Sequence, residues 1–377
     1  MKKLVSTLVA VLLISALFLA GCGGLKQKDQ GLSGVDWPMY GGSSARPGYS
    51  PESFAPPFEL KWRAGTSGLE GGAAVAEGYV CVADTAGKVR YLNATTGEVK
   101  WTFDGNGPFR RQTPLIYDSR VFAASEKGTL YCLDKLSGRR LWEKDLGQGS
   151  FSSPLGDGDL VYISHNANLY CFGAREGNQV FIYSQPGAKS LTAPALLKGK
   201  VYAGSDIGSM VCLDAANGSL TWSSTPSVEI TCTPVLTEMR VFFGTADNQL
   251  WCLDRLNGQT QWTAHLQQKV AAPPAISGYD IICGAGDAGS LVPGVVWCLD
   301  AVSGKERWRY ETDYRSPLHV SASDTYAFIY NGLVLNLADG TTLASLHVGG
   351  NPYAPPVPYG GCLFICATDG TLYCLGP

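Results

Sequence analysis

The sequence has few charged residues, no run of basic side chains and little helix-forming pattern. Charged residues make up 16% of the 377 residues, and the formal net charge is −3. The 29 Lys and Arg form no stripe or cluster, which excludes the electrostatic footprint of a nucleic-acid-binding protein. Beyond residue 25, Ala, Leu, Glu and Lys do not recur at helical spacing. Glycine is abundant instead, with 46 residues, and separates short β-branched and aromatic runs typical of strands.

Metal-binding and catalytic motifs are also missing. No Cys-x-x-Cys or His-x-x-x-His occurs, and we predict no metal site. No carboxylate pair and no nucleophile beside a base stands out. Gly284-Ala-Gly286-Asp-Ala-Gly289 matches a dinucleotide fingerprint, but the following Ser290-Leu-Val-Pro-Gly294 cannot begin the helix that would bind a pyrophosphate. The four histidines lie far apart: His165, His265, His319 and His347.

The N-terminus is typical of an exported lipoprotein. Lys2 and Lys3 precede an apolar stretch, and Leu19-Ala20-Gly21-Cys22 resembles the bacterial lipobox. We therefore predict a signal peptide over residues 1–21 and a lipid on Cys22, which would hold the protein to a membrane on its extracytoplasmic side. The alternative is an uncleaved anchor helix, for which the apolar run is marginal in length. Residues 22–36 are polar and glycine-rich, which predicts a flexible tether.

Eight copies of a repeat of about 40 residues occupy the rest of the chain. Successive copies are 41, 39, 41, 40, 46, 36 and 40 residues apart. The spacing of 46 predicts an insertion in the sixth copy, either an ordinary length variant or a functional loop. The copies align on an apolar residue that Asp or Asn follows in most of them: Leu92, Leu133, Phe172, Leu213, Leu253, Leu299, Leu335 and Leu375. A proline recurs every 40 residues: Pro114, Pro154, Pro194, Pro234 and Pro274.

Each copy predicts four short antiparallel strands. In the fourth copy these are residues 192–197, 200–204, 209–214 and 220–224, with Asn217-Gly218 in the last turn. The Asp after the aligned apolar residue is expected to accept hydrogen bonds from turn amides. Such sheets cannot stay soluble alone, and all-β repeats of this length stack into a closed propeller.

The ends of the chain indicate how the ring closes. The eighth copy stops after Leu375, before its fourth strand, and Leu60-Lys61-Trp62 has the sequence of that missing strand. We predict an all-β fold, an eight-bladed β-propeller over residues 37–377, with an N-terminal strand completing the C-terminal blade.

The repeat resembles the tryptophan-docking motif of pyrroloquinoline-quinone (PQQ)-like propellers. Asp134-Lys-Leu-Ser-Gly138-Arg-Arg-Leu-Trp142 carries the resemblance, and residues 36–51 resemble the segment that precedes such propellers. The resemblance implies that each indole packs on the next blade and is structural. The docking residues implied are Trp62, Trp101, Trp142, Trp222, Trp262 and Trp308.

Twelve cysteines in an exported chain raise the question of disulfides. Six of them share one repeat position in different blades, too far apart to bridge, and we expect buried space-fillers. Cys362 and Cys366 are the only pair close in sequence that is expected to meet. The six are Cys132, Cys171, Cys212, Cys252, Cys298 and Cys374.

A partner is expected at the mouth of the propeller axis, on segments that enter the first strand of each blade. These segments carry mixed charges and aromatics, suited to an extended peptide or an anionic ligand. The alternative interpretation is a solvated rim without a specific role. The candidate residues are Glu70, Arg110, Arg111, Lys189, Glu229, Lys269, Tyr314 and Arg315.

Three functions remain open. The first is a non-catalytic, membrane-anchored scaffold for envelope proteins or peptides, similar to the lipoprotein propellers that assist outer-membrane β-barrel assembly. The second is a PQQ-dependent quinoprotein dehydrogenase with calcium, or another propeller enzyme. It is disfavoured because such enzymes are usually longer than this chain. Many of them also have two adjacent cysteines joined in a ring above the quinone, and no two cysteines are adjacent in this sequence. The third is a sugar-binding subunit. The tryptophans give it no support, because most of them occupy the docking position of the repeat.

Overall fold

The computed structural model describes residues 34–52, 54–286, 292–313, 318–330, 332–346, 348–349 and 354–377. In these ranges the chain forms 32 strands in eight four-stranded antiparallel sheets, each sheet one blade. The predicted eight-bladed β-propeller is therefore confirmed. The same ranges contain no helix that is long and apolar enough to cross a membrane.

Each of the first seven blades consists of four consecutive strands, and the eighth adds β1 to the last three. Blades one to four contain β2 (Ala74–Ala76), β3 (Tyr79–Ala83), β4 (Lys88–Asn93), β5 (Val99–Asp104); β6 (Leu115–Tyr117), β7 (Arg120–Ala124), β8 (Thr129–Asp134), β9 (Arg140–Asp145); β10 (Leu155–Asp157), β11 (Leu160–His165), β12 (Asn168–Gly173), β13 (Gln179–Ser184); β14 (Ala195–Leu197), β15 (Lys200–Gly204), β16 (Met210–Asp214), β17 (Leu220–Ser224). Blades five to eight contain β18 (Val235–Leu236), β19 (Arg240–Gly244), β20 (Gln249–Asp254), β21 (Thr260–His265); β22 (Ala275–Ser277), β23 (Asp280–Ala285), β24 (Val295–Asp300), β25 (Glu306–Glu311); β26 (Val320–Ala322), β27 (Tyr326–Ile329), β28 (Leu333–Asn336), β29 (Thr342–Ser345); β30 (Val357–Tyr359), β31 (Cys362–Cys366), β32 (Thr371–Gly376) and β1 (Glu59–Gly65).

Burial decreases toward the outer, fourth strand of each blade. The first strands of neighbouring blades contact one another and so surround the axis. The middle strands are almost wholly apolar and buried, whereas fourth strands such as β17 alternate between exposed and half-buried residues. A register shift recurs between the third and fourth strands, as between Cys132 and Leu133. Such bulges increase the strand twist that lets four-stranded sheets stack around an axis.

Blade eight is built from both ends of the chain, as predicted. Its strand order is β1-β32-β31-β30, and β1 pairs antiparallel with β32, Trp62 opposite Cys374. In the fourth blade the first strand begins at Ala195, three residues later than predicted, because the residues before it line the axis instead of continuing the strand. The insertion of blade six lies in the loop between β23 and β24, and residues 287–291 of it are outside the described residues.

The expected Cys362–Cys366 contact is wrong. Both residues lie on β31, at its two ends. Four residues of strand span about 13 Å, so their sulfurs cannot meet. The eleven cysteines of the described residues are free thiols, and all are buried.

A strap, defined as residues 36–52, crosses one face of the ring before the first blade. Its backbone carbonyls accept hydrogen bonds from the first strands of successive blades, and Glu52 accepts one from Gly361 N at 3.0 Å in blade eight. Trp37 forms a β-bridge with Val75 in blade one, and Tyr49 forms one with Ala322 in blade seven. The other first-strand donors are Ile116 to Pro38, Leu196 to Ser44, Leu236 to Ala45 and Ile276 to Pro47.

Candidate functional site

The propeller axis holds a cavity of about 530 Å³. Each of several blades lines it with the residues just before its first strand, at positions that recur every 40 residues. Strap residue Tyr40 also lines it. The strap thus covers one end of the axis, and the entrance segments surround the other. The recurring wall positions are Arg111 and Thr113, Phe151 and Ser153, Leu191 and Ala193, Thr231 and Thr233, and Ala271 and Pro273.

Arg46 fastens the strap to the base of the axis. Its side chain is buried, and its guanidinium donates to four backbone carbonyls: to Pro194 O at 3.1 Å, to Pro154 O at 3.2 Å, to Ser153 O at 3.3 Å and to Tyr40 O. Burial lowers the pKa of Arg46 to about 9, which still leaves it charged at neutral pH. Arg46 is part of the segment that resembles the one before PQQ-like propellers, but no role could be assigned to it from the sequence. Its acceptors are backbone atoms of two distant blades, and backbone acceptors cannot be recognised from a sequence.

The titratable groups of the cavity wall are few and are not arranged for catalysis. Burial raises the pKa of Cys232 to about 12, so its thiol stays protonated at neutral pH. Desolvation lowers the pKa of His319, which favours the neutral imidazole, and its Nδ1 has no partner within the described residues. The described wall holds no carboxylate.

A calcium-dependent quinone does not fit this wall. Calcium takes six to eight oxygen ligands, chiefly from carboxylates and amides. The described wall provides hydroxyls and backbone groups but no Asp, Glu, Asn or Gln, and the described residues contain no cluster of three or more potential metal ligands. These side chains therefore support no reaction through PQQ.

The predicted rim residues are only partly brought together. Arg110 lies between two carboxylates, with Nη1 3.4 Å from Glu70 and Nε 3.4 Å from Glu126. Arg111, at a positive φ of 54°, is the one residue of the predicted set that lines the described part of the cavity.

The remaining rim residues lie around the entrance. The Lys189 backbone N–H donates to the Asp206 carboxylate at 3.0 Å, which fixes the entrance segment of blade four. Lys189 and Glu229 are exposed and Lys269 is half-buried. The rim thus carries both signs of charge, with Glu70 and Glu229 among the basic residues of blades two, four and six. Tyr314 and Arg315 lie outside the described residues.

The tryptophans of the repeat lie between blades. A glycine of the next blade lies under each ring: a Cβ at Gly138, whose φ is +69°, would be 2.6 Å from the Trp101 ring. Phe181 takes the corresponding place in blade three, against Gly218. Each indole Nε1 also donates to a backbone carbonyl of the next blade: Trp62 to Ala94 at 3.0 Å, Trp101 to Lys135 at 2.8 Å, Trp142 to Ala174 at 3.1 Å, Trp222 to Arg255 at 3.1 Å, Trp262 to Ala301 at 3.2 Å and Trp308 to Leu337 at 2.7 Å.

Sequence comparisons point to one family. A family model described as outer membrane protein assembly factor BamB matches residues 59–180, 147–224 and 184–377. BamB of Bordetella pertussis is 29% identical over 158 residues, which are 39% of this chain and 40% of that protein. BamB of Shewanella oneidensis is 25% identical over 161 residues, 40% of each protein. The matched part thus spans about 40% of the length of these curated relatives.

Solved structures share the fold. The crystal structure of BamB from Moraxella catarrhalis has a TM-score of 0.72 and 19% identity, covering 85% of this chain and 98% of that one. Quinohemoprotein alcohol dehydrogenase from Comamonas testosteroni has a TM-score of 0.77 and 16% identity, covering 91% of this chain and 81% of that one. At such identities both likenesses establish the propeller fold alone.

Proposed function

The chain belongs to the family described as outer membrane protein assembly factor BamB, and on that premise we propose that it is a non-catalytic scaffold in the cell envelope. It docks a protein or peptide of outer-membrane assembly on the open face of the propeller. A lipid on Cys22 anchors it to a membrane, and residues 22–36 tether the propeller to that anchor. Neither a cofactor nor a metal takes part.

The observation that carries this proposal is the difference between the two ends of the axis. The strap occupies the end where Arg46 and the first-strand amides bind it. The opposite end leaves the entrance segments, with their hydroxyls, charges and backbone groups, exposed to a partner. The side chains of the described wall form no recognisable catalytic combination and are suited to binding a partner. A cavity with a polar, charged rim suits an inserted loop or an extended peptide.

Charge at the rim gives this partner a recognisable character. Arg110 lies between the acidic Glu70 and Glu126, whereas Lys189 and Glu229 are in blades four and five. This mixture of signs favours a partner surface of mixed charge, since complementary charges fix the register of docking more than they add affinity. A purely anionic partner would meet repulsion at Glu70 and at Glu229.

Blade five offers a matched pair of positions for testing the docking face. Glu229 is on the open face, whereas Glu238 follows β18 at the end where Leu236 binds the strap; Glu238 is 63% exposed. A photo-crosslinking residue at Glu229 should capture a protein of the β-barrel assembly machinery in intact cells, identified by mass spectrometry, and the same residue at Glu238 should not. Capture at Glu238 alone, or equally at both, would place docking elsewhere and refute the proposal.

The basic pair gives a second test of the same face. We expect the double substitution Arg110→Ala and Arg111→Ala to reduce capture at Glu229 several-fold without changing the circular dichroism of the protein. Arg139→Ala is the matched control, because Arg139 is exposed in a turn far from the axis. Unchanged capture by the double variant would exclude the two arginines from the docking site.

Cys22→Ser should release the protein from washed membranes.

A further inference from the structure

Blade eight departs from the repeat at one pair of facing positions. In blade four, the first residue of the second strand and the last residue of the third strand form an ion pair, Lys200 Nζ to Asp214 Oδ2 at 3.1 Å. In blade eight the same positions are Cys362, the first residue of β31, and Gly376, the last of β32. Blade five has the same kind of ion pair, Arg240 with Asp254, whereas blade eight has a thiol facing a glycine.

The glycine lets this thiol reach across to the neighbouring strand. A Cβ at Gly376 would lie 2.8 Å from Cys362 Sγ, so the sulfur lies where a side chain at this position would begin. Cys374 precedes Gly376 by two residues on the same face of β32, opposite Phe364. Cys362, Cys374 and Phe364 belong to one apolar cluster. The register therefore places the extra thiol diagonally beside the cysteine of the repeat.

The two thiols contact each other and differ in reactivity. Hydrogen bonding between the two side chains lowers the pKa of Cys362 below its ordinary value and raises that of Cys374, and the Lys61 ammonium also favours the Cys362 thiolate. Cys362 is 6% exposed, whereas Cys374 is fully buried. Cys362 thus has the properties of an attacking thiol, and Cys374 those of a resolving thiol.

We propose that Cys362 and Cys374 are a redox-active dithiol that closes reversibly to a disulfide between β31 and β32. The Cys362 thiolate attacks one sulfur of an external disulfide, such as oxidised glutathione, breaks its S–S bond and releases one thiol. The Cys374 sulfur then attacks Cys362 in the mixed disulfide and releases the second thiol. The protein gives up two electrons and two protons, and the external disulfide leaves as two thiols.

The position of the pair suggests both its reversibility and its effect. Diagonal neighbours on antiparallel strands lie about 7–8 Å apart, slightly beyond the roughly 4.4–6.8 Å that a relaxed disulfide spans, so closing the bond must draw β31 and β32 together and leaves it strained and readily reduced. Cys374 lies opposite Trp62 of β1, the strand that closes the ring. Oxidation would therefore tie together the strands on which closure depends, and the oxidised protein should resist unfolding at higher denaturant concentrations.

The test is a redox titration of the full-length protein in detergent. The protein is equilibrated in buffers of rising oxidised-to-reduced glutathione ratio, quenched in acid, denatured, alkylated and digested for mass spectrometry. We expect the loss of two alkylatable thiols and a cross-linked peptide joining Cys362 to Cys374, both reversed by dithiothreitol. Retention of every thiol in oxidised glutathione alone, or a cross-link between other cysteines, overturns the proposal.

Two variants separate the pair from a general effect of buried thiols. Cys374→Ala should leave Cys362 as a stable glutathione adduct, because the resolving thiol is gone. Cys252→Ala is the matched control: Cys252 has the place of Cys374 in blade five, where Arg240 stands in the position of Cys362. It should leave the cross-link unchanged. If Cys374→Ala does not fold, the mapped titration of the unsubstituted protein still decides.

Discussion

Replacing Arg46 by Met should destabilise the whole ring, although Arg46 precedes the first blade. The substitution keeps an apolar stem of similar length but removes the donors to four backbone carbonyls in the strap and in blades three and four. Each buried carbonyl left without a partner costs about 1–3 kcal/mol. Relief of the desolvation of a buried cation offsets part of this loss. We therefore expect Arg46→Met to lower the free energy of unfolding by about 3–5 kcal/mol.

Arg46→Lys divides this effect into charge and geometry. Lysine keeps the charge but lacks the planar fork that reaches several carbonyls at once, so we expect about half the loss. Arg139→Met, at an exposed turn, should change the free energy of unfolding by less than about 0.5 kcal/mol. Urea unfolding followed by tryptophan fluorescence measures all three. An Arg46→Met protein within about 1 kcal/mol of the unsubstituted one would refute the view that the strap is part of the fold.

Two further predictions concern the repeat itself. Gly138→Ala should cost about 3 kcal/mol in thermal unfolding, because its Cβ would lie 2.6 Å from the Trp101 ring. Gly147→Ala is the control: with a φ of +78° and nothing within 4 Å of its Cβ, it should cost only about 1 kcal/mol of backbone strain. Equal losses would argue against docking of the indole on the glycine. Hydrogen bonds lower the pKa of Asp300, and the largest contribution comes from the Ser303 side chain. The stabilising effect of the Asp300 carboxylate is therefore fully present above about pH 4 and is lost as the pH falls further. Asp300→Asn should therefore lower stability by about 1 kcal/mol at pH 7 and by less at pH 2 in parallel urea titrations, and a pH-independent loss would contradict this assignment.

The repeat made most of the fold predictable, because local signals recur in it eight times. The turn after each aligned residue is one example: Asp134 accepts from Ser137 N at 2.8 Å, as its place in the sequence predicts. Closure was predictable because the last copy lacks a strand that Trp62 and its neighbours supply. Such features depend on residues close in sequence, or on a pattern that the sequence itself repeats.

The strap and the thiol pair were less accessible to sequence reasoning for the opposite reason. Arg46 binds main-chain oxygens, which leave no side-chain signature in the residues that carry them. The contact of Cys362 with Cys374 depends on strand register and on the missing side chain at Gly376, so proximity in sequence suggested Cys366 instead. At the rim, the sequence located Arg110 near the axis but not its neutralisation by Glu70 and Glu126. Charge pairing between blades requires their relative placement.

The pairing of β1 with β32 has a consequence for how the chain is made. The first strand of the propeller acquires its partner only when the last residues have been synthesised, so blade eight cannot form during translation. Contacts between residues more than 300 positions apart make folding slow, since a large loop must close before they form. Until then the ring lacks its closing blade and remains open. Removing the last few residues should therefore prevent closure of the ring, with an effect far larger than that of a frayed terminus.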